Sequence, residues 1–162
     1  MAGSRVGEFA RLFDRELERL QAEVAAYPDD ESLWVVSGNI VNPGGTLALH
    51  SAGCVNHYIG SLLGGSGYKR DRESEFETRD TPKNEIIRGI RGARSAVADA
   101  LAKIGDFRLR EEMRGLPERY EGETVSWMLI HLLGHLQYHT GQLNYHRRVL
   151  VEEPAKQKAK QK

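Results

Sequence analysis

The chain has 162 residues, enough to bury one continuous core without disulfides or a structural metal. Lys plus Arg and Asp plus Glu both number 23, so the net charge is zero with neutral histidine, and no basic field would attract nucleic acid or an anionic membrane. No apolar run approaches the roughly 20 residues that span a bilayer. We therefore expect a protein that binds neither nucleic acid nor membrane.

The start of the chain and its cysteine content predict a cytoplasmic protein. The opening residues MAGSRVGEF are polar and lack the apolar core of a signal peptide. The single cysteine, Cys54, cannot form an internal disulfide.

Apolar residues at helical spacing predict two helices in the first part of the chain. From about Ser4 to Tyr27 they recur every three or four residues, with charged residues between them. Pro28 ends this helix, and the segment that follows is rich in Gly, Asn and Pro, which is typical of a loop. A second helix is predicted over residues 44–63.

A polar segment and two more helices follow. The segment SGYKRDRESEFETRD, residues 66–80, carries both charge signs and predicts a solvated crossover loop with Tyr68 and Phe76 as its anchors. Apolar stripes then predict a third helix over 82–104 and a fourth over 124–151.

Four helices of about 20 residues and no convincing strand pattern predict an all-α fold. We expect an antiparallel four-helix bundle over residues 1–152, with a longer crossover between helices 2 and 3. The remaining segment, 153–162, is predicted to be a frayed basic tail because it lacks large apolar residues.

The spacing of the histidines predicts a metal site. At steps of four, four and seven, one stripe of the predicted last helix carries His131, His135, His139 and His146. Two imidazoles one turn apart can hold a single divalent ion, and a third donor should come from a facing helix. Three candidate donors share a stripe of the predicted second helix, namely His50, Cys54 and His57.

Two sequence patterns resemble the DinB/YfiT-like superfamily of four-helix bundles. One is His50 followed by Gly53 and by LLGG at 62–65, and the other is HLQYHTGQ at 135–142. The resemblance covers most of the chain, from about residue 4 to 150. In addition, the segment YKRDRESEF resembles one uncharacterised branch of the superfamily.

The resemblance implies a metal-binding site. In the superfamily, a histidine of the second helix and an HxxxHxGQ stretch of the last helix bind a divalent metal, so the implied ligands are His50, His135 and His139. Thr140 and Leu136 depart from the polar residues that many members carry beside this motif, which leaves the substrate open.

Four further residues are candidates for a place beside the ligands or as an alternative ligand, namely His131, His57, Cys54 and Gln142. Each also has a commoner role, as a packed or hydrogen-bonded histidine, a small buried thiol or a link between helices. Glycine inside a helix costs up to about 1 kcal/mol relative to alanine, so close helix packing is predicted at Gly53, Gly134 and Gly141. No catalytic residue is predicted.

Three histidine ligands leave a coordination position open, which is typical of a metal that activates something. The resemblance implies an enzyme in which the metal activates a low-molecular-weight thiol for transfer to an electrophilic small molecule, and it is compatible with a homodimer. Three neutral imidazoles suit zinc, nickel, iron or copper, and of these we expect zinc or nickel. Two alternatives stay open. One is a metal-dependent hydrolase that activates water, and the other is a non-enzymatic, metal-stabilised binding bundle.

Overall fold

The computed structural model describes residues 3–152, with side chains through Val149, and most of them are helical. The helices are α1 (Arg5–Ala25), α2 (Gly44–Val55), α3 (Arg72–Glu77), α4 (Lys83–Ala102) and α5 (Val125–His146). π-Helical turns extend α2 over Asn56–Leu63 and α5 over Arg147–Glu152. Short 3-10 turns lie at Glu31–Trp34, Asp106–Arg110 and Glu118–Tyr120.

The four long predicted helices are confirmed, and their starts have local causes. The side chains of Ser4 and Thr124 each accept a hydrogen bond from a backbone N–H of the first turn, which satisfies a donor that the helix leaves unpaired. No strand is present between residues 3 and 152, in agreement with the all-α prediction. The predicted tail, 153–162, lies outside the described residues.

The long helices pack around one apolar core. α1 and α2 each pack against both α4 and α5, so α1 and α2 occupy opposite corners of the bundle. Apolar side chains from all four helices are fully buried, among them Phe13, Ile59, Ile90 and Leu132. Burying such a side chain contributes about 1.5–3 kcal/mol each, so the core accounts for most of the bundle's cohesion. None of the described helices is long and apolar enough to cross a membrane.

The helix directions differ from the expected antiparallel arrangement at two of the four contacts. α1 and α4 run antiparallel, since Arg94 binds Asp14 while Arg91 binds Gln21. The π-helical extension of α2 runs parallel to α4, because added Cβ atoms at Gly60 and Gly64 would meet Ala96 and Ala100. α1 and α5 are also parallel, as shown by the pairing of Glu16 with Gln137 and Glu23 with Asn144.

The parallel pair dictates the path of the crossover. To begin α4 beside the start of α2, the chain must return along the length of the bundle after Leu63. On this return it forms α3, which packs on α2. The prediction of a solvated crossover loop is wrong at two charged residues, because the side chains of Arg70 and Glu75 are 10% and 8% exposed. Phe76 is one of the predicted anchors, and its ring lies 4.9 Å from the ring of His50.

Candidate metal centre

Three histidines from two helices meet beside the core. The Nε2 atom of His135 lies 3.2 Å from Nε2 of His50 and 3.2 Å from Nε2 of His139. One ligand atom from each of the three rings lies within 4.8 Å of the others, and the rings contact one another edge to face. The structure thus brings together the three residues that the resemblance implied as ligands.

The packing of α2 against α5 explains why these three side chains converge. His135 and His139 stand one helical turn apart, so their rings project from the same face of α5. α2 runs in the opposite direction, with Gly44 near Leu143 at one end of the contact. This register places His50, two turns further along α2, opposite the histidine pair.

The nitrogens fit a divalent ion. Two nitrogens that are each about 2.05 Å from a tetrahedral zinc ion lie roughly 3.3 Å apart, close to the two 3.2 Å separations in the cluster. The outer nitrogens of two rings are already engaged: Nδ1 of His139 lies 2.7 Å from Oε1 of Gln142, and Nδ1 of His50 lies 3.1 Å from Oε2 of Glu75. Nδ1 of His135 is buried without a hydrogen-bond partner.

The surroundings of His135 and His139 favour the neutral form of these two rings, which is the form that binds metals. Burial, and then the neighbouring rings of His139 and His50, lower the pKa of His135 to about 3. Burial also lowers the pKa of His139, against the hydrogen bond with Gln142, which acts to raise it. Because a metal displaces the proton of an imidazole nitrogen, a lowered pKa favours metal binding near neutral pH.

The crossover segment places an ion pair, Arg70 with Glu75, against His50, and the sequence pattern did not predict this contact. Arg70 donates from Nε and Nη2 to the two carboxylate oxygens of Glu75, at 2.7 Å each, and Glu75 in turn reaches His50. Burial acts to raise the pKa of Glu75, but the hydrogen bonds from His50 and Arg70 outweigh it, so this pKa is lowered and the carboxylate is charged. The signal in the sequence is the segment YKRDRESEF, whose mixed charges by themselves predict a solvated surface.

Among the remaining candidates, Gln142 hydrogen-bonds a proposed ligand, His139, and His131 has its ring centroid 6.3 Å from that of His135. The hydrogen bond and the stacking of His131 are with other residues, since its ring stacks on Trp127 and its Nε2 lies 3.2 Å from the hydroxyl of Tyr120. His57 packs on the ring of Tyr58, and its Nδ1 has no hydrogen-bond partner.

Two other sequence candidates lie in the core. Burial raises the pKa of Cys54 to about 11, so it is a neutral thiol, and it is absent from the group of donors that meet within 4.8 Å. His146 is buried at the far end of the stripe, where its Nδ1 lies 2.8 Å from the hydroxyl of Tyr27 and its Nε2 lies 2.7 Å from the carbonyl oxygen of Val35.

Close packing was predicted at three glycines, and the structure supports it at Gly53 but not at Gly134 or Gly141. A Cβ atom added at Gly53 would lie 2.0 Å from Oε1 of Glu75, so the absence of a side chain there admits the crossover. At Gly134 and Gly141 an added Cβ would meet no described atom within 4 Å, so close packing within the described chain does not explain them.

A cleft of about 580 Å³ lies beyond Gln142, toward the end of α5, and the three clustered histidines are not among its lining residues. It shares Gln142 with the histidine site, and it includes Leu47, which lies one turn before His50 on α2. Its other walls combine apolar and amide side chains with one histidine, namely Asn39, Ile40, Val41, Asn42, Tyr145, His146 and Val149. His135 and His139 are themselves only partly buried, so the cluster is accessible from outside the core.

Comparison with known proteins identifies the family. The sequence matches the DinB superfamily over residues 12–143. The fold is similar to the crystal structure of a DinB-like protein from Bacillus cereus, with a TM-score of 0.67 and 24% sequence identity over 91% of this chain and 93% of that one. No curated protein matches the chain. With a match that spans most of its length, the chain belongs to the DinB superfamily.

Proposed function

We propose that this protein is a metal-dependent enzyme that transfers a low-molecular-weight thiol to an electrophilic small molecule. The observation that carries the proposal is the convergence of three Nε2 atoms in a partly exposed cluster. Three histidine ligands leave at least one position free for a small molecule. Neutral imidazoles suit zinc and nickel, which are the ions we propose.

The proposed chemistry follows from the charge of the ion. A bound divalent ion would lower the pKa of a thiol, so that a thiolate is available near neutral pH. Its sulfur would form a bond to an electrophilic carbon, and the displaced electron pair would depart with a leaving group or take a proton from water. His50, His135 and His139 would hold the ion, and Gln142 would fix the ring orientation of His139.

The cleft beside Gln142 supports a small substrate with an apolar body. Ile40, Val41 and Leu47 offer apolar contacts, while Asn39 and Asn42 bring amide groups that can donate and accept hydrogen bonds. A molecule bound there would contact Gln142, which in turn contacts the proposed ligand His139. This placement favours a reaction with a bound organic electrophile.

A hydrolase is less well supported. A metal-activated water usually needs a general base within hydrogen-bond reach. Glu75 is the carboxylate that reaches the cluster, but it is ion-paired with Arg70 and contacts the outer nitrogen of His50. It is therefore not positioned to take a proton from a water molecule on the opposite side of the ring.

The test is metal analysis of the purified wild type beside His50→Ala, His135→Ala and His139→Ala, with His131→Ala as the matched control. We expect near-stoichiometric zinc or nickel in the wild type and the control, and loss of metal in the other three folded variants. Near-stoichiometric metal in all three would contradict the proposed ligands.

Assays then separate the candidate functions. The wild type should conjugate small thiols to electrophiles, and should lose this activity on chelation and regain it when the metal is restored. Hydrolysis of esters or amides without thiol transfer would favour the hydrolase. A metal-loaded protein inactive in both assays would favour the binding bundle.

We also propose a homodimer formed through the outer face of α5. Large apolar side chains are exposed there at helical spacing, among them Ile130 (61%), Tyr138 (64%) and Tyr145 (72%). Gly134 and Gly141 lie seven residues apart on the same face and have open space above them. A second α5 could insert its aromatic side chains at these glycines, as knobs enter holes in packed helix pairs.

A further inference from the structure

The crossover segment 66–80 contributes a buried ion pair that the proposed reaction does not use. Arg70 and Glu75 lie against His50, on the side of its ring away from the other two histidines. Burying two charges is costly unless they are paired and hydrogen-bonded, and here both conditions are met. The pair is therefore held in one geometry at the edge of the site.

This geometry offers two competing partners to the outer nitrogen of His50. Nδ1 lies 3.1 Å from Oε2 of Glu75 and also 3.1 Å from Nη2 of Arg70. Glu75 can only accept a hydrogen bond when ionised, whereas arginine can only donate one. When Nδ1 carries a proton, it therefore donates a hydrogen bond to Glu75. When Nδ1 carries no proton, it accepts a hydrogen bond from Arg70.

The two partners have opposite consequences for the cluster. A neutral imidazole carries one proton, so a proton on Nδ1 leaves the lone pair of Nε2 free for a metal. If Nδ1 instead accepted a hydrogen bond from Arg70, the proton would sit on Nε2 and block the ligand atom. Nη2 already donates to Oε2 of Glu75 at 2.7 Å, which draws the guanidinium toward the carboxylate.

We propose that Glu75 is a positioning residue of the metal centre. Held by Arg70, its carboxylate accepts a hydrogen bond from Nδ1–H of His50, which keeps the proton on Nδ1 and leaves Nε2 free to bind the ion. This inference rests on the proposed metal site, and it assigns a role to the YKRDRESEF segment. A carboxylate behind a ligating histidine fixes the ring and raises its basicity, and loss of such a partner typically costs about 10–100-fold in metal affinity.

Gly53 provides a second, independent means to test this role. A methyl group at this position would lie 2.0 Å from Oε1 and 2.9 Å from the carboxyl carbon of Glu75. Gly53→Ala therefore has to displace the carboxylate without changing any charge. Gly89→Ala is its matched control, because an added Cβ there meets no described atom within 4 Å and the residue also lies in a helix.

The experiment is a titration of the metal-free full-length chain with Co²⁺, followed by its visible absorption, for the wild type, Glu75→Gln and Gly53→Ala. We expect Glu75→Gln and Gly53→Ala each to raise the dissociation constant at least about tenfold. Glu73→Gln, an exposed position on the same helix α3, and Gly89→Ala should match the wild type. Far-UV circular dichroism checks that each variant is folded.

A wild-type dissociation constant in folded Glu75→Gln would overturn the positioning role while leaving the proposed function intact. If Glu75→Gln does not fold, Gly53→Ala gives the same decision. No Co²⁺ binding by the wild type would count against the proposed function instead.

Long-range ¹H–¹⁵N NMR of the metal-free protein above pH 8 tests the inference without any metal. We expect the His50 proton on Nδ1 in the wild type and a larger Nε2–H population in Glu75→Gln. A wild-type His50 that carries its proton on Nε2 would overturn the inference.

Discussion

Lowering the pH from 7 to 5 should destabilise the metal-free protein through His135. The surroundings of this residue lower its pKa from 6.5 to about 3, so the folded chain keeps it neutral over this range. The unfolded chain binds a proton as the pH falls through 6.5. Because the unfolded state then holds more protons, the free energy of unfolding decreases as the pH decreases.

The size of the effect follows from the two pKa values. Integrating the difference in proton uptake between pH 7 and pH 5 gives a loss of about 2 kcal/mol from His135 alone. The result is nearly the same for any folded pKa below about 4, because His135 is then neutral throughout the range. Stability contributed by this group is complete above pH 6.5 and declines toward pH 3.

The assay is urea unfolding at pH 7 and pH 5, in the presence of a chelator, for the wild type and His135→Gln. Glutamine does not titrate, so the variant should lose about 2 kcal/mol less than the wild type between the two pH values. Equal losses in the two proteins would refute the reasoning.

Three further predictions concern the core, the ion and the outer face of α5. Tyr27→Phe should cost about 1–3 kcal/mol in denaturant unfolding, because Nδ1 of the buried His146 loses its hydroxyl partner, whereas Tyr145→Phe, at an exposed ring, should cost almost nothing. Zinc at 100 times its dissociation constant should add about 2.7 kcal/mol to the free energy of unfolding, and an unchanged melting curve would argue against a site in the folded state. Light scattering should give the mass of a dimer for the wild type and of a monomer for Tyr138→Glu, with Phe107→Glu, an exposed ring outside α5, as the control.

The sequence by itself determined the helices and half of the candidate site. Apolar periodicity is a local property, so it predicted the four long helices within a few residues. The one-turn step from His135 to His139 is equally local, because any α-helix places such residues on one face. The same reasoning left three donors open on the facing helix, and the family resemblance was needed to single out His50.

Tertiary structure decided which side chains surround that pair. The register between α2 and α5 brings His50 to the cluster and leaves Cys54 out of it. The return of the chain along the bundle places Arg70 and Glu75 behind His50, although a mixed-charge segment is normally solvated. Spacing along the chain cannot reveal these contacts, because they depend on how separate helices pack and on where the crossover runs.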